Sequence, residues 1–372
     1  MKTGSNHRII ISGGGTGGHI FPAISIANAI RIKDPGVEIL FVGALGRMEM
    51  EKVPAAGYKI IGLPIAGLRR DLSLRGIMAN LMLPLRLAQS VNAAGRIIRD
   101  FGPTVAVGVG GYASGPLLWV AGKKGIPYIL QEQNSFAGKT NKMLAAGAAH
   151  ICVAYPGMEQ FFPASKVVLT GNPIRKDIRP ATEQEKEEAL KHFGLDREKK
   201  TLLITGGSLG AGTLNRCVRE YLPRSGDRRV QILWQCGKHG LSQAEAVLKE
   251  HPGVPVYVYE FIARMDLAYA AADLVVSRAG AGSISEFSAA GKACIFVPSP
   301  NVAEDHQTHN AMALVNENAG WMVTDKEAPL SLMDKALELI FNDSERNRLS
   351  ANILKLSRPD AAAQIASMVL GL

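Results

Sequence analysis

Four glycine-rich loops, each directly behind a short apolar run, constrain this chain more than any other feature. They are Gly13–Gly18 after "RIIIS", Gly108–Gly111 after "VAV", Gly206–Gly212 after "LLIT" and Gly280–Gly282 after "LVVSRA". In the first, five of six residues are glycine. No helix or strand interior tolerates that composition, and it lets another group come close to the backbone. An apolar run, a glycine turn and a helical pattern together make the unit of a parallel sheet covered on both faces. "RIIISGGGTGGHIFPAISIANAIRI", "TVAVGVGGYASGPLLWVAGKKGIPYILQEQN", "KTLLITGGSLGAGTLNRCV" and "ADLVVSRAGAGSISEFSAAGKACIFVP" all follow this plan, with "VEILFVG" and "KIIGLPI" as further strands. The second half repeats the first. The predicted fold is α/β, two Rossmann-like doubly wound parallel-sheet domains facing across a cleft, with ligands at the carboxyl ends of the strands. Glycine, asparagine and two prolines interrupt the pattern at "LTGNPIRKDIRP". Residues 1–172 are therefore expected to form one domain and 173–352 the other, with a helix in 353–372 packing back on the first.

At 372 residues and 47% hydrophobic content the chain can fill two cores. Cys152, Cys217, Cys236 and Cys294 are widely spaced and read as buried thiols of a reducing compartment. The N-terminus reaches glycine after three apolar residues, too few for a signal peptide, and no apolar run approaches 18 residues. A cytosolic location is expected. The net charge of +9 is uneven: residues 1–172 hold 18 Lys+Arg against 8 Asp+Glu (+10), and the remainder 24 against 25 (−1). The excess concentrates in Gly67–Asp100, where six arginines face two acids among leucines and methionines, and Pro84 breaks any single long helix. The charge-free run Gly76–Leu85 has ten residues, too short to span a bilayer and long enough to lie in its surface. Arg69, Arg70, Arg75, Arg86, Leu81 and Leu83 are thus expected to meet an anionic membrane surface. The competing expectation is a core-packed helix pair with a solvated arginine face.

Gly13, Gly15 and Gly18 fit G-x-G-x-x-G, which raises NAD. A dinucleotide fold then needs an acid at the end of the second strand. Gly43 stands there, and Glu49 and Glu51 come too late, so an NAD-dependent oxidoreductase is a weak reading. A nucleic-acid-binding module would explain the basic half, but the chain has no such motif and only 6% aromatics. What remains is a set of helix N-termini with exposed N–H groups, suited to anions. Such loops in both halves suggest a nucleotide-activated substrate meeting an anionic second substrate.

"GGGTGGHIFPA", "GVGGYASGP", "QEQNSFAGKTNK", "TGNPIR", "TGGSLGA", "EFIARM", "SRAGAGSISEFSAAGKACIFVPSP" and "DHQTHNA" occur in that order. Over about residues 8–350 they closely resemble the MurG family of bacterial peptidoglycan glycosyltransferases (GT-B fold, glycosyltransferase family 28). The resemblance implies inverting transfer of N-acetylglucosamine from UDP-GlcNAc to the C4 hydroxyl of the muramyl sugar of lipid I, giving lipid II. It implies donor contacts from Thr16, Gly17, Gly18, Asn134, Arg175 and Ser208, a backbone contact from Ile262 to the uracil, and Gln307 on the sugar. The loop Ala281, Gly282, Ser283, Ile284, Ser285 and Glu286 would wrap the diphosphate and ribose, with Glu286 on the ribose hydroxyls. His306 stays unassigned. Gly14, Gly15, Gly110, Gly111 and Tyr112 are expected at the acceptor pyrophosphate. His19 is the preferred general base, since the positive end of the helix dipole disfavours its protonated ring. Glu132 and Tyr112 are weaker candidates for proton handling. With no Asp-x-Asp in the chain, no metal and no cofactor is expected. The partners implied are UDP-GlcNAc, lipid I, an anionic membrane surface and other proteins of cell-wall synthesis and division, with no nucleic acid. The place implied is the cytoplasmic face of the bacterial inner membrane. Simpler roles stand beside these. Ser283-x-x-Glu286 fits a capping box, Ser208 a helix cap, Arg175 a solvated linker charge, and Gln307 an ordinary loop polar. A UDP-GlcNAc 2-epimerase would share the fold.

Overall fold

The computed structural model describes residues 7–67, 73, 78, 80–207, 209–224 and 229–372. The chain divides into two compact units, Met1–Ile174 with Arg358–Leu372, and Arg175–Ser357.

The first unit holds β1 (Arg8–Ser12), β2 (Glu38–Ala44), β3 (Lys59–Leu63), β4 (Val105–Gly108), β5 (Tyr128–Glu132), β6 (His150–Val153) and β7 (Val167–Leu169). They form one sheet, order β3-β2-β1-β4-β5-β6-β7, and every pair is parallel. Side chains alternate across it, and both faces are apolar. Ile9 and Ile11 pack with the helices Gly17–Lys33 and Ala361–Leu370, while Ile10 packs with Leu83–Phe101 and Ser114–Lys123. All three isoleucines are fully buried, each worth about 1.5–3 kcal/mol relative to exposure. Pro84 occupies the first turn of Leu83–Phe101, where its missing N–H costs nothing, and Gly102 (φ 60°) ends that helix in the left-handed conformation.

In the C-terminal segment Ala362, Ile365, Ala366 and Val369 are buried beside Ile26 and Ile30 of the first helix. The preceding helix Asp343–Lys355 stays in the second unit because Leu349 and Ile353 sink into that unit. The return to the first unit therefore begins at Arg358, a few residues past the expected boundary.

The second unit holds β8 (Lys200–Thr205), β9 (Val230–Gln235), β10 (Val256–Tyr259), β11 (Leu274–Ser277), β12 (Cys294–Phe296) and β13 (Trp321–Met322), order β10-β9-β8-β11-β12-β13, again parallel. It opens on the helix Glu183–Phe193, held by a Thr182/Glu185 capping box and stopped by Gly194 (φ 67°). Trp234, Phe287 and Phe296 are its largest fully buried side chains. The four cysteines are buried thiols, and burial raises Cys152 to about 12 and Cys217 to about 11. Among the described residues no helix is long and apolar enough to cross a membrane.

Candidate functional site

In the first unit β1 and β4 are neighbours, so the loops that follow them leave the sheet side by side. Their backbones touch: a Cβ on Gly111 (φ 80°) would lie 2.4 Å from the Gly14 carbonyl oxygen, so only glycine fits. Thr16 is extended, and its carbonyl accepts the first helical N–H groups, from His19 at 3.1 Å and Ile20 at 3.2 Å. That places His19 in the first turn. Its Nδ1 lies 3.1 Å from the Gly14 carbonyl oxygen and 3.2 Å from Thr16 Oγ1. A carbonyl can only accept, so Nδ1 carries the proton and the ring's lone pair sits on Nε2. Nε2 points at Gly110 (φ 89°), where an added Cβ would stand 3.0 Å away. This tautomer suits a general base.

Glu49, passed over in the sequence as too late for a nucleotide ribose, is 1% exposed beneath the first loop. Its carboxylate accepts from the N–H of Gly15 at 3.0 Å and of Ala44 at 3.0 Å. It braces the glycine loop from below. Tyr112 lies beside Gly15, and burial raises its phenol above the usual value while Arg47 pulls it down.

Glu132 ends β5 and is 2% exposed. Its Oε1 accepts from the backbone N–H of Asn134 at 3.1 Å and the Asn134 side-chain amide at 3.3 Å. Its Oε2 accepts from the Gly138 N–H at 3.0 Å and Asn141 Nδ2 at 2.9 Å. This carboxylate organises the "EQN" loop. The amide of Gln133 donates to the Val109 carbonyl at 2.7 Å and ties that loop to the one after β4.

In the second unit the helix Ala281–Ala290 starts at Gly280, whose carbonyl accepts from the Ile284 N–H at 3.0 Å. The N–H groups of Ala281, Gly282 and Ser283 precede that bond and have no acceptor within the helix, the ordinary condition of an anion-binding N-terminus. Ser283 lies inside the helix, so the expected capping box does not form. Glu286 faces elsewhere: Oε1 accepts from Arg175 Nε at 3.2 Å and Oε2 from the Tyr269 hydroxyl at 2.6 Å. Burial, then the Glu286 charge, pushes the Tyr269 phenol well above its usual value. Burial lowers Arg175, but the neighbouring Glu286 outweighs it and holds the guanidinium above its ordinary range. Arg175 is therefore paired rather than a solvated linker charge.

Ile262 is buried and its N–H donates to Gln235 Oε1 at 2.8 Å, which fixes the backbone at this position. Gln235 also donates to Thr205 Oγ1 and the Gly207 carbonyl, at 3.2 and 2.9 Å. Gln307 accepts from the Ser299 N–H at 2.9 Å in the first turn of the helix His306–Val315. That turn follows two residues with positive φ, Glu304 (56°) and Asp305 (49°), a strained approach of the kind found at ligand clamps. Ser285 bonds back to the Ala281 carbonyl at 2.9 Å.

The structure thus gathers Gly14–His19 with Gly110, Gly111 and Tyr112, Glu132 with Asn134, and Arg175 with Glu286 on the helix that carries Ala281–Ser285. Ser208, Arg69, Arg70 and Arg75 lie outside the described residues. Leu81 is exposed, and Leu83 and Arg86 are half-buried. Among the described residues no group of three His, Cys, Asp or Glu side chains is placed to hold a metal ion.

Two parallel-sheet α/β units with anion-type loops at the strand ends define the GT-B class of glycosyltransferase. Residues 9–153 match the glycosyltransferase family 28 N-terminal domain and residues 201–365 its C-terminal domain. The chain belongs to glycosyltransferase family 28. It is 55% identical over 364 residues to a UDP-N-acetylglucosamine--N-acetylmuramyl-(pentapeptide) pyrophosphoryl-undecaprenol N-acetylglucosamine transferase of Parabacteroides distasonis, covering 98% of each chain. To the protein of the same name in Porphyromonas gingivalis it is 50% identical over 369 residues, covering 99% of this chain and 96% of that one. The crystal structure of Acinetobacter baumannii MurG superposes with a TM-score of 0.79 at 26% identity, over 98% of this chain and 100% of that one. A UDP-GlcNAc 2-epimerase from Neisseria meningitidis shares the fold, with a TM-score of 0.63 at 13% identity.

Proposed function

We propose that this protein transfers N-acetylglucosamine from UDP-GlcNAc to the C4 hydroxyl of the muramyl sugar of lipid I, with inversion, to give lipid II. The supporting observation is 55% identity over 98% of the chain to relatives named for this transfer. The epimerase reading rests on fold alone.

In the proposed chemistry His19 Nε2 takes the proton of the C4 hydroxyl as its oxygen attacks the anomeric carbon. The bond from that carbon to the UDP oxygen breaks, and the electron pair leaves with UDP. The N-terminal turn at Ala281–Ser283 and the Arg175 guanidinium offset the charge that builds on the leaving diphosphate. Glu286, held by Arg175 and Tyr269, meets the ribose hydroxyls in this reading. Glu132 acts as a brace for Asn134 rather than a proton carrier, because both its oxygens are engaged in the loop. Fixed dipoles and one arginine replace a metal, a reading supported by the lack of any Asp-x-Asp in the chain.

Attachment to the cytoplasmic face of the inner membrane belongs to the same proposal, since an undecaprenyl-linked acceptor stays in the bilayer. The test is transfer from radiolabelled UDP-GlcNAc to a lipid I analogue, with and without EDTA. Transfer that EDTA leaves unchanged is expected. No transfer to any lipid-linked muramyl acceptor overturns the function, and EDTA sensitivity overturns the metal-free mechanism alone.

A further inference from the structure

A groove of about 330 Å³ opens at the carboxyl ends of β2 and β3, lined by Leu45, Arg47, Pro64, Ile65, Ala66 and Arg86. Its volume is that of a small-molecule site, and its position is where doubly wound sheets bind ligands. Among the described residues neither Arg47 nor Arg86 meets a carboxylate in an ion pair. Two arginines that form no ion pair among the described residues, on a groove also lined by Leu45, Pro64, Ile65 and Ala66, call for an anion with a small apolar part.

Tyr112 joins this groove to the glycine loops. Its ring lies 3.2 Å from where a Cβ on Gly15 would stand and 3.2 Å from where one on Gly67 would stand, the residue that follows the Ile65–Ala66 wall. Arg47 is close enough to pull the Tyr112 phenol down. The groove is thus one aromatic ring away from the loops expected to hold a pyrophosphate. The acceptor named for the relatives carries two branches on one muramyl sugar, a pyrophosphoryl group and a pentapeptide. With the first branch on the glycine loops, the second reaches past Tyr112.

We propose that the Arg47/Arg86 groove is a subsite for a carboxylate of the acceptor's peptide, gripped by the two planar guanidinium forks with the peptide's alkyl part against Pro64, Ile65 and Ala66. This rests on the transferase reading above. It adds a peptide-reading site to the first unit and makes Arg86 a groove residue as well as a candidate for the membrane surface.

The test uses steady-state kinetics of wild type, Arg47→Gln, Arg86→Gln and the double variant, which keep the alkyl stems. Two acceptors are compared, a lipid I analogue and the same analogue amidated at its peptide carboxylates. The acceptor KM is expected to rise about tenfold for each arginine removed, the equivalent of 1.4 kcal/mol. The KM for UDP-GlcNAc stays unchanged, and the penalty vanishes with the amidated acceptor. An equal penalty with both acceptors would assign the arginines to the pyrophosphate or to membrane phosphates and overturn the subsite, as would an unchanged acceptor KM. Calorimetric titration with soluble muramyl-pentapeptide separates the two readings. Binding by wild type that the double variant loses keeps the subsite even if transfer were absent. No binding by wild type sinks the subsite while leaving transfer to be judged by the radiolabel.

Discussion

In the proposed mechanism the general base is His19, whose tautomer follows from a backbone carbonyl that can only accept. The Gly14 carbonyl holds Nδ1 as the donor, so Nε2 can only receive a proton. His19→Ala is expected to lower turnover by roughly 10²–10⁴, the usual worth of a general base, with little change in UDP-GlcNAc affinity. Turnover within a few-fold of wild type would remove His19 from the mechanism. In the second unit Glu286→Ala strips Arg175 of its counter-charge and leaves the buried Tyr269 hydroxyl without its acceptor. The KM for UDP-GlcNAc should rise, and stability should fall by about 1–3 kcal/mol for the orphaned hydroxyl. Unchanged kinetics alongside that loss would make Glu286 structural only. Lys292 offers a test by pH. Burial lowers its ammonium to about 8, and Nζ donates to the Ala272 carbonyl at 2.9 Å. An unfolded lysine titrates near 10.4. Between the two values the unfolded chain binds more protons, so stability rises with pH across about 8 to 10.4 and is flat below, where both states are charged. The rise is worth about 3 kcal/mol. Denaturant unfolding at pH 7.5 and 10 should therefore show Lys292→Met losing ground to wild type at the higher pH. A gap that stays constant counts against a buried, lowered lysine.

Among the elements, the first βα turn was legible as a glycine loop opening a helix, and the repeated strand–loop–helix units were legible because buried parallel strands read as unbroken apolar runs. The support beneath that turn was not. Glu49 sits on the short helix Glu49–Ala55, beyond β2, and reaches back under the loop of β1. A rule that looks for an acid at the end of the second strand finds Gly43 and stops. Ser283-x-x-Glu286 misled for a similar reason: the spacing suits a cap, but the helix begins two residues earlier, at Ala281, and turns Glu286 toward Tyr269 and Arg175. Contacts between residues 17, 34 and 111 positions apart leave no local periodicity to find. Glu49→Gln tests the brace, because an amide nitrogen in place of one carboxylate oxygen cannot accept from either N–H. We expect stability to fall by about 1–3 kcal/mol for an unsatisfied buried donor. Acceptor kcat/KM should fall further than donor affinity if Gly14 and Gly15 hold the acceptor pyrophosphate, as is expected of them. A loss of stability alone, with acceptor kinetics intact, would confine Glu49 to folding.

For the whole molecule the organising fact is an uneven charge that survives the true division of the chain. Residues 1–174 carry 18 basic against 8 acidic side chains, and Arg358 and Asp360 add one of each, so the first unit stands at 19 against 9, or +10. In that unit the fully buried residues of the helix Leu83–Phe101 are Ser90, Ala94 and Ile98, none of them in its first two turns. Near its other end Leu85 is 51% exposed, and Leu81 and Met78, which precede the helix, are 70% and 67% exposed. A core-packed helix pair would bury these side chains and a membrane-surface segment would expose them, so binding to vesicles separates the two expectations. Exposed leucines and methionines beside a basic stretch suit an interface where acyl chains take the apolar tips and anionic headgroups the arginines. Each engaged arginine adds about 1 kcal/mol near an anionic leaflet, so three or four give reversible attachment. Co-sedimentation with phosphatidylglycerol vesicles should therefore be strong at low salt, weak at high salt, and weak with neutral phosphatidylcholine. Arg69→Glu with Arg75→Glu should abolish the salt-sensitive part. Leu81→Ser with Leu85→Ser should weaken binding at every salt concentration and leave transfer to a short-chain, water-soluble acceptor intact. Equal sedimentation of wild type and both variants would detach this segment from the membrane and return it to the protein's own surface.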